Sequence, residues 1–357
     1  MNAWPRSGLG LCSCNPSYRL LRNQTVTKAT EKTMKAALIH AHPELGGQIE
    51  INEVDKPQVK AGEVLVRIQA TAVNRGEIGP RKAHRSGEPR PCGVEFSGEV
   101  VAVGEGVSLA SGLAVMGHCV SGANAQFLAV DQRLVMPKPA HWSWHEAAAF
   151  PNVYMTTHDA MVTNGQVSTG DVLLINAASS GVGMAAAQIA RALGVRCIIG
   201  SSRSSQKLAD LAGLGFTHLV DLSQDKLPER IQTIAPDHGV DLLLDSVGGG
   251  AITEHMQAMA IKGRWVQIGR LGGMGGEINL DDLALKRLQL IGVTFRTRSM
   301  AERIACFQAM ARDLGPLLGQ AQMRPLVHRV FEFDQISEAQ AHMLTNQHIG
   351  KIVIQVA

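Results

Sequence analysis

Val172–Leu193 reads VLLINAASSGVGMAAAQIARAL, and the reading of this stretch decides the fold. Val172-Leu173-Leu174-Ile175 is a short apolar run bounded by turn residues, which suits a strand buried on both faces. Small residues follow: Ala177, Ala178, Ser179, Ser180, Gly181 and Gly183. The Ala-rich segment behind them, with Gln188, Ile189 and Leu193, favours a helix. Strand, tight turn and helix together open a dinucleotide-binding βαβ unit. The backbone there must come close to a pyrophosphate, and the helix N-terminus must face that anion. The spacing is degenerate, since G-x-G-x-x-G appears as Ala178-x-x-Gly181-x-Gly183. The segments beyond it carry more weight. Val195–Ile199, Leu219–Val220, Val240–Leu244 and Arg264–Ile268 read as further strands, separated by helical patterns such as Lys207–Leu214. This alternation predicts a doubly wound parallel sheet with the small-residue turn on its first strand.

Outward from that unit the pattern changes. Lys35–Ile39, Ile49–Val54, Glu63–Ala72, Gly98–Val103 and Ala125–Val130 are short alternating or apolar runs, punctuated by Gly62, Gly104, Gly106 and Gly122. They predict a largely antiparallel barrel over residues 34–155. Ser143, with Glu146 three residues on, reads as a capping box. After the α/β region, Thr156–Arg298, the period predicts a helix over Met300–Leu314 and a strand over Arg329–Phe333. A helix over Ile336–Leu344 and a terminal strand over Lys351–Ile354 complete residues 299–357. Residues 1–33 contain Arg6, Arg19 and Arg22 but one acid, Glu31. They read as a disordered extension before Met34; an organellar targeting peptide is the alternative.

Hydrophobic residues at 45% and charged residues at 18% describe a globular enzyme, and 357 residues allow two domains. The net charge of +3 is scattered and aromatics are 4%, which argues against a nucleic-acid partner. No apolar run is long enough to span a bilayer. Cys12, Cys14, Cys92, Cys119, Cys197 and Cys306 lack framework spacing, so reduced thiols and a cytoplasmic location are expected.

From Met34 to Ala357 the chain resembles the medium-chain dehydrogenase/reductase superfamily, in its zinc-free quinone oxidoreductase (zeta-crystallin-like) branch. The resemblance rests on Ala61–Arg67, Gly98–Gly106, Ala147–Pro151 with Thr156, Asn176–Gly183, Asp245–Gly249 and Gly350–Val353. It implies a GroES-like barrel built from both ends of the chain, with a Rossmann domain inserted between. Zinc-dependent relatives present Cys, His and Cys where this chain matches Asn74, Val94 and Asn152, and the structural-zinc cysteines have no counterpart. His118, beside Cys119, reads as a loop or surface histidine rather than a ligand. No metal is expected. Hydride transfer then suits an acceptor that is already electrophilic, a quinone or an α,β-unsaturated carbonyl.

The second strand ends Gly200-Ser201-Ser202-Arg203-Ser204-Ser205-Gln206-Lys207. No acid stands there for a ribose 2′-hydroxyl, whereas Arg203 and Lys207 could hold a 2′-phosphate, so NADPH is the expected cofactor. Ser201 and Ser202 add hydroxyls, and Ser204 could cap a helix. Ser180, Gly181 and Val182 should line the pyrophosphate, while Ser246, Ile268 and Gly269 follow strand ends. The resemblance places Asn74 and Thr156 by the nicotinamide, Asn74 as an amide donor to the substrate carbonyl. It also makes Gly292–Arg298 the last Rossmann strand, with Phe295 flanking the nicotinamide, Arg296 or Arg298 meeting substrate or phosphate, and a homodimer through that strand; Leu288, Leu290 and Ile291 ahead of it also suit a strand. Tyr154, two residues before Thr156, is a candidate proton donor against the bland reading of a packed phenol. An enoyl-thioester reductase and a non-catalytic NADPH-binding protein, crystallin-like or RNA-binding, are the alternatives.

Overall fold

The strand Val172–Ile175 is fully buried and lies inside a six-stranded sheet. The computed structural model describes residues 32–319 and 323–357, so nearly all of the expected extension, residues 1–33, lies outside the described residues. The strand order is His218–Asp221, Cys197–Ser202, Val172–Ile175, Val240–Asp245, Met259–Gln267, Gln289–Gly292. Every neighbouring pair is parallel. The chain moves outward from Val172–Ile175 in one direction, then returns and moves outward in the other. The order therefore reverses between Val172–Ile175 and Val240–Asp245, and ligands bind beyond the carboxyl ends of strands at such a point.

Several boundaries differ from the sequence expectation. The second strand runs Cys197–Ser202, which carries Gly200–Ser202 into the sheet. The helix expected over Lys207–Leu214 is Ser205–Asp210, capped by Ser204 as the sequence implies. The last strand is Gln289–Gly292 rather than Gly292–Arg298. Its final pair is Gly292 with Gln267, the last residue of the neighbouring strand, so the partner ends there. Phe295, Arg296 and Arg298 consequently sit on a connection outside the sheet.

The second lobe is β-rich and is built from both ends of the chain. Its larger sheet has seven strands, among them Glu63–Ala72, Glu95–Val103, Ala114–His118 and the C-terminal Lys351–Gln355. Lys351–Gln355 runs antiparallel to Glu63–Ala72, with Val353 opposite Ala72. Glu95 lies opposite His118. These registers bring the ends of three strands together beside Val73 and Asn74. The helix Pro151–His158 starts with Pro at its first turn and packs between the lobes. Phe150, Val153, Tyr154 and Met155 share one core with Ala185, Ala186 and Phe307. The capping box of Ser143 and Glu146 forms as expected. Among the described residues no helix is long and apolar enough to cross a membrane.

Candidate active site

Asn74 follows the strand Glu63–Ala72 and stands at the start of the helix Arg75–Lys82. It is 7% exposed. Its Nδ2 donates to Glu95 Oε1 at 2.8 Å and lies 3.3 Å from the Ala72 carbonyl oxygen and 3.4 Å from Glu77 Oε2. Its Oδ1 accepts from Lys351 Nζ at 2.6 Å and from Asn152 Nδ2 at 2.8 Å. Lys351 Nζ also donates to Glu95 Oε1 at 2.8 Å and to the Val73 carbonyl oxygen at 3.1 Å. Glu95 Oε2 accepts the backbone N–H of Asn152 at 2.8 Å. A buried ammonium and a buried carboxylate thus bracket two amides. A lysine only donates and a carboxylate only accepts, so the orientation of both amides is forced.

Glu77 is the second acid. It accepts the N–H groups of Asn74 at 3.2 Å and Gly93 at 3.0 Å. Burial first, then the Glu95 carboxylate, raises its pKa to about 7, while Lys351 and the hydrogen bonds from Asn74 and Gly93 act in the opposite sense. Two carboxylates share one ammonium here, so a proton on Glu77 relieves their repulsion.

The sequence reading left His118 in a surface loop; the structure buries it to 2% exposure. Its ring centroid is 6.2 Å from that of Phe295. Burial, with a smaller push from Arg303, lowers its pKa to about 3, while the Asn152 side chain acts in the opposite sense. The imidazole is neutral at pH 7. No local sequence signal marks it: its burial follows from the pairing that sets the end of the strand Ala114–His118 opposite Glu95.

Asn152 and Thr156 are four residues apart on one helix and are both half-exposed, while Val153, Tyr154 and Met155 between them are buried. They share the face turned to the cleft. Tyr154 points the other way. It is 1% exposed, stacks on Phe150 with centroids 4.1 Å apart, and donates its hydroxyl to Gln188 Oε1 at 2.5 Å. Its phenol pKa is raised by burial. Two residues along a helix is a rotation of about 200°, which is why a tyrosine so near Thr156 misses the cleft.

On the other wall the helix Gly181–Ala192 is capped by Ser180, whose hydroxyl accepts the Gly183 N–H at 3.0 Å. The Gly181 and Val182 N–H groups lie in the first turn, where no intrahelical acceptor exists. A Cβ on Gly183 would lie 2.6 Å from the Ala178 carbonyl oxygen, so the turn requires a glycine there. Ala177 takes φ 51° to make it. Ser201 is 1% exposed and its hydroxyl has no protein partner. Asp245 anchors the facing turns: it accepts from Asn176 Nδ2 and from the N–H groups of Val247 and Gly248. Its carbonyl accepts from Ile268 and Gly269, and Ser246 donates to Asn176 Oδ1. Free helix-start donors, an unpartnered hydroxyl at a strand end and glycine turns fit a dinucleotide.

The expected phosphate residues divide. Arg203 is exposed at the end of the second strand. Ser202 Oγ accepts the Ser204 N–H at 3.2 Å. Lys207 is held by the opposite lobe, donating to the His348 carbonyl at 3.0 Å and to that of Asn346. Nearby Asp221 takes the Ser205 and Ser223 hydroxyls. Arg296 reaches the Gly76 carbonyl at 3.3 Å and so bridges the lobes. Arg298 does not face the cleft, because Asp159 draws its guanidinium inward at 2.6 Å. Among the described residues no group of three or more His, Cys, Asp or Glu could hold a metal ion.

Residues 60–140 match the alcohol dehydrogenase GroES-like domain, and residues 181–311 match the zinc-binding dehydrogenase family. An alcohol dehydrogenase superfamily protein from Novosphingobium aromaticivorans superposes with a TM-score of 0.82 at 30% identity, covering 91% of this chain and 100% of that one. Quinone oxidoreductase-like protein 2 of Mus musculus is 27% identical over 317 residues, 88% of this chain and 90% of that protein. A phenolphthiocerol synthesis polyketide synthase type I of Mycobacterium bovis is 29% identical over 304 residues, 85% of this chain. This chain spans only 14% of that synthase.

Proposed function

This chain belongs to the medium-chain dehydrogenase/reductase superfamily, in its zinc-free quinone oxidoreductase branch, and on that premise we propose that it is an NADPH-dependent, metal-independent reductase of quinones or α,β-unsaturated carbonyls. The observation that carries this reading is the Lys351 ammonium lodged on Asn74 Oδ1 and Glu95 Oε1. The oxygen atoms that a cation would need are already held by a fixed positive charge. The donor set is two amides, one valine and one paired carboxylate, which is poor chemistry for zinc.

NADPH, when bound, supplies a hydride, and a proton from water completes the reduction. The chain supplies the rest. Gly181 and Val182 would present N–H groups to the pyrophosphate, and the unpartnered Ser201 hydroxyl would be available to the cofactor. Arg203, exposed at the strand end, would offer the 2′-phosphate a guanidinium capable of bidentate contact. Asn152 and Thr156 face the reacting groups from one side of their helix, and Phe295 with His118 closes the apolar wall. Asn74, Glu95 and Lys351 are buried from water, so the Glu95 and Lys351 charges act in a low dielectric.

NADPH oxidation with para-benzoquinone, phenanthrenequinone and a simple enone tests the proposal. Tight NADPH binding without turnover of any of the three would overturn it. The likeness to a polyketide synthase favours enoyl thioesters as the second acceptor class. A protein that binds NADPH and oxidises it with neither class is a binding protein. We also propose a homodimer through Gln289–Gly292, an edge strand on which Leu290 is 41% exposed. Light scattering of the wild type and of Leu290→Lys tests it; a monomeric wild type ends the idea.

A further inference from the structure

We infer that Asn152, not Asn74, donates the hydrogen bond to the carbonyl oxygen of the acceptor, its amide aimed by a relay that starts at Lys351. The inference rests on the reductase reading above and names the group that does the polarising. It follows from counting donors and acceptors. Asn74 has two N–H bonds and two acceptor positions on its amide. Its Oδ1 is taken by Lys351 and Asn152, and its Nδ2 faces Glu95 with the Ala72 carbonyl and Glu77 behind. Nothing of Asn74 remains for a substrate, and it is 7% exposed.

Asn152 is the next residue in the chain of bonds. Lys351 forces the Asn74 oxygen toward itself, so Asn152 can reach that oxygen only through Nδ2. The Asn152 oxygen is then the end of the amide left for the His118 side, where the Asn152 side chain raises the imidazole pKa against the larger effect of burial. Asn152 Nδ2 therefore keeps one N–H outside the relay. That N–H stands on the half-exposed face shared with Thr156, while the helix is pinned through the Asn152 backbone N–H on Glu95 Oε2. Lys351 and Asn74 are positioning residues; Asn152 is the catalytic donor. A carbonyl that gains electron density on hydride arrival accepts a stronger bond from a preorganised N–H, which favours the transition state over the ground state.

The geometry also explains why a lysine stem crosses the cofactor turn. A Cβ on Gly181 would lie 2.9 Å from Lys351 Cδ and 3.1 Å from Val153 Cγ1. Gly181 thus makes room for the side chain that orients the amides, and the cofactor wall and the amide relay are built against each other.

The experiment uses the full chain. Wild type, Asn152→Leu and Asn152→Asp are compared for kcat and KM with phenanthrenequinone and for NADPH affinity by fluorescence. The carbonyl stretch of phenanthrenequinone bound to the NADP⁺ form is recorded by infrared difference spectroscopy. We expect kcat/KM to fall by roughly 10²–10³ in both variants, the loss typical of one oxyanion donor, with NADPH affinity unchanged within about twofold. The wild-type stretch should be lowered relative to the free quinone, and Asn152→Leu should return it to the free value. Lys351→Met should lower kcat and broaden the stretch, and Lys351→Arg should restore both. If Asn152→Leu folds, binds NADPH and keeps kcat/KM within threefold of wild type, or leaves the stretch unmoved, the inference is overturned. If Asn152→Leu does not fold, Asn152→Asp, which keeps the volume and lacks the N–H, decides on the same two readouts. If the wild type neither binds nor reduces phenanthrenequinone, the acceptor class falls and this inference with it. That outcome is distinct, because it appears before any variant is made.

Discussion

Lys351 Nζ donates to Asn74 Oδ1 at 2.6 Å, joining residues 277 positions apart in the chain. The C-terminal strand thereby completes a site begun by the strand Glu63–Ala72. Lys351 is 4% exposed and Glu95 is not exposed at all. Removing one partner of a buried pair leaves an uncompensated charge. Lys351→Met should destabilise the protein by about 3–5 kcal/mol. Adding Glu95→Gln should recover part of that loss. Denaturant unfolding of the single and double variants checks it, and a double variant less stable than Lys351→Met would count against the pair as the cause.

Glu77 sets a pH dependence. Its carboxyl is raised from 4.5 to about 7, so the folded state binds a proton that the unfolded state releases. The stability linked to this group is fully present below about pH 4.5 and is lost as pH rises through about 7. Glu77→Gln should flatten the change in unfolding midpoint between pH 5 and pH 8.5, measured by urea titration. An unchanged slope would mean that Glu77 does not carry the proton.

Tyr154→Phe separates a packed phenol from a proton donor. The hydroxyl bonds Gln188 in the interior. Turnover should stay within about twofold of wild type, while loss of a buried hydrogen bond lowers stability by about 1 kcal/mol or somewhat more. A fall in kcat of tenfold or more would return Tyr154 to the mechanism.

Cofactor preference should follow Arg203 more than Lys207. Lys207 is engaged by the carbonyls of Asn346 and His348, whereas Arg203 stands exposed at the strand end. Arg203→Ala should weaken NADPH binding by about tenfold and leave NADH binding unchanged, as expected for one charge-assisted contact. Lys207→Ala should instead affect both cofactors alike, through the loop it holds. Equal affinity of the wild type for NADPH and NADH would end the argument.

The sequence by itself determined the Rossmann half. Apolar runs at Val172–Ile175 and Val240–Leu244, and glycine at position 183, reflect local rules of strand burial and close turns, and these rules are legible without a third dimension. The helices Met300–Leu314 and Ile336–Leu344 follow from period in the same way, and both stand where the period puts them. The last strand is legible in part, since Leu290 and Ile291 suit a strand, but it ends at Gly292 rather than Arg298 because its end is set by where its neighbour stops pairing. The catalytic wall was decided only by tertiary structure. Asn74, Glu95, His118, Asn152 and Lys351 come from separate segments, and each alone looks like a turn residue, a strand acid or a surface base. Register across the barrel sheet places Glu95 opposite His118 and returns Lys351 to Asn74. Whether an amide faces substrate or is consumed within the protein depends on which donors and acceptors surround it, and that is a property of the packed site, absent from any local stretch of the chain.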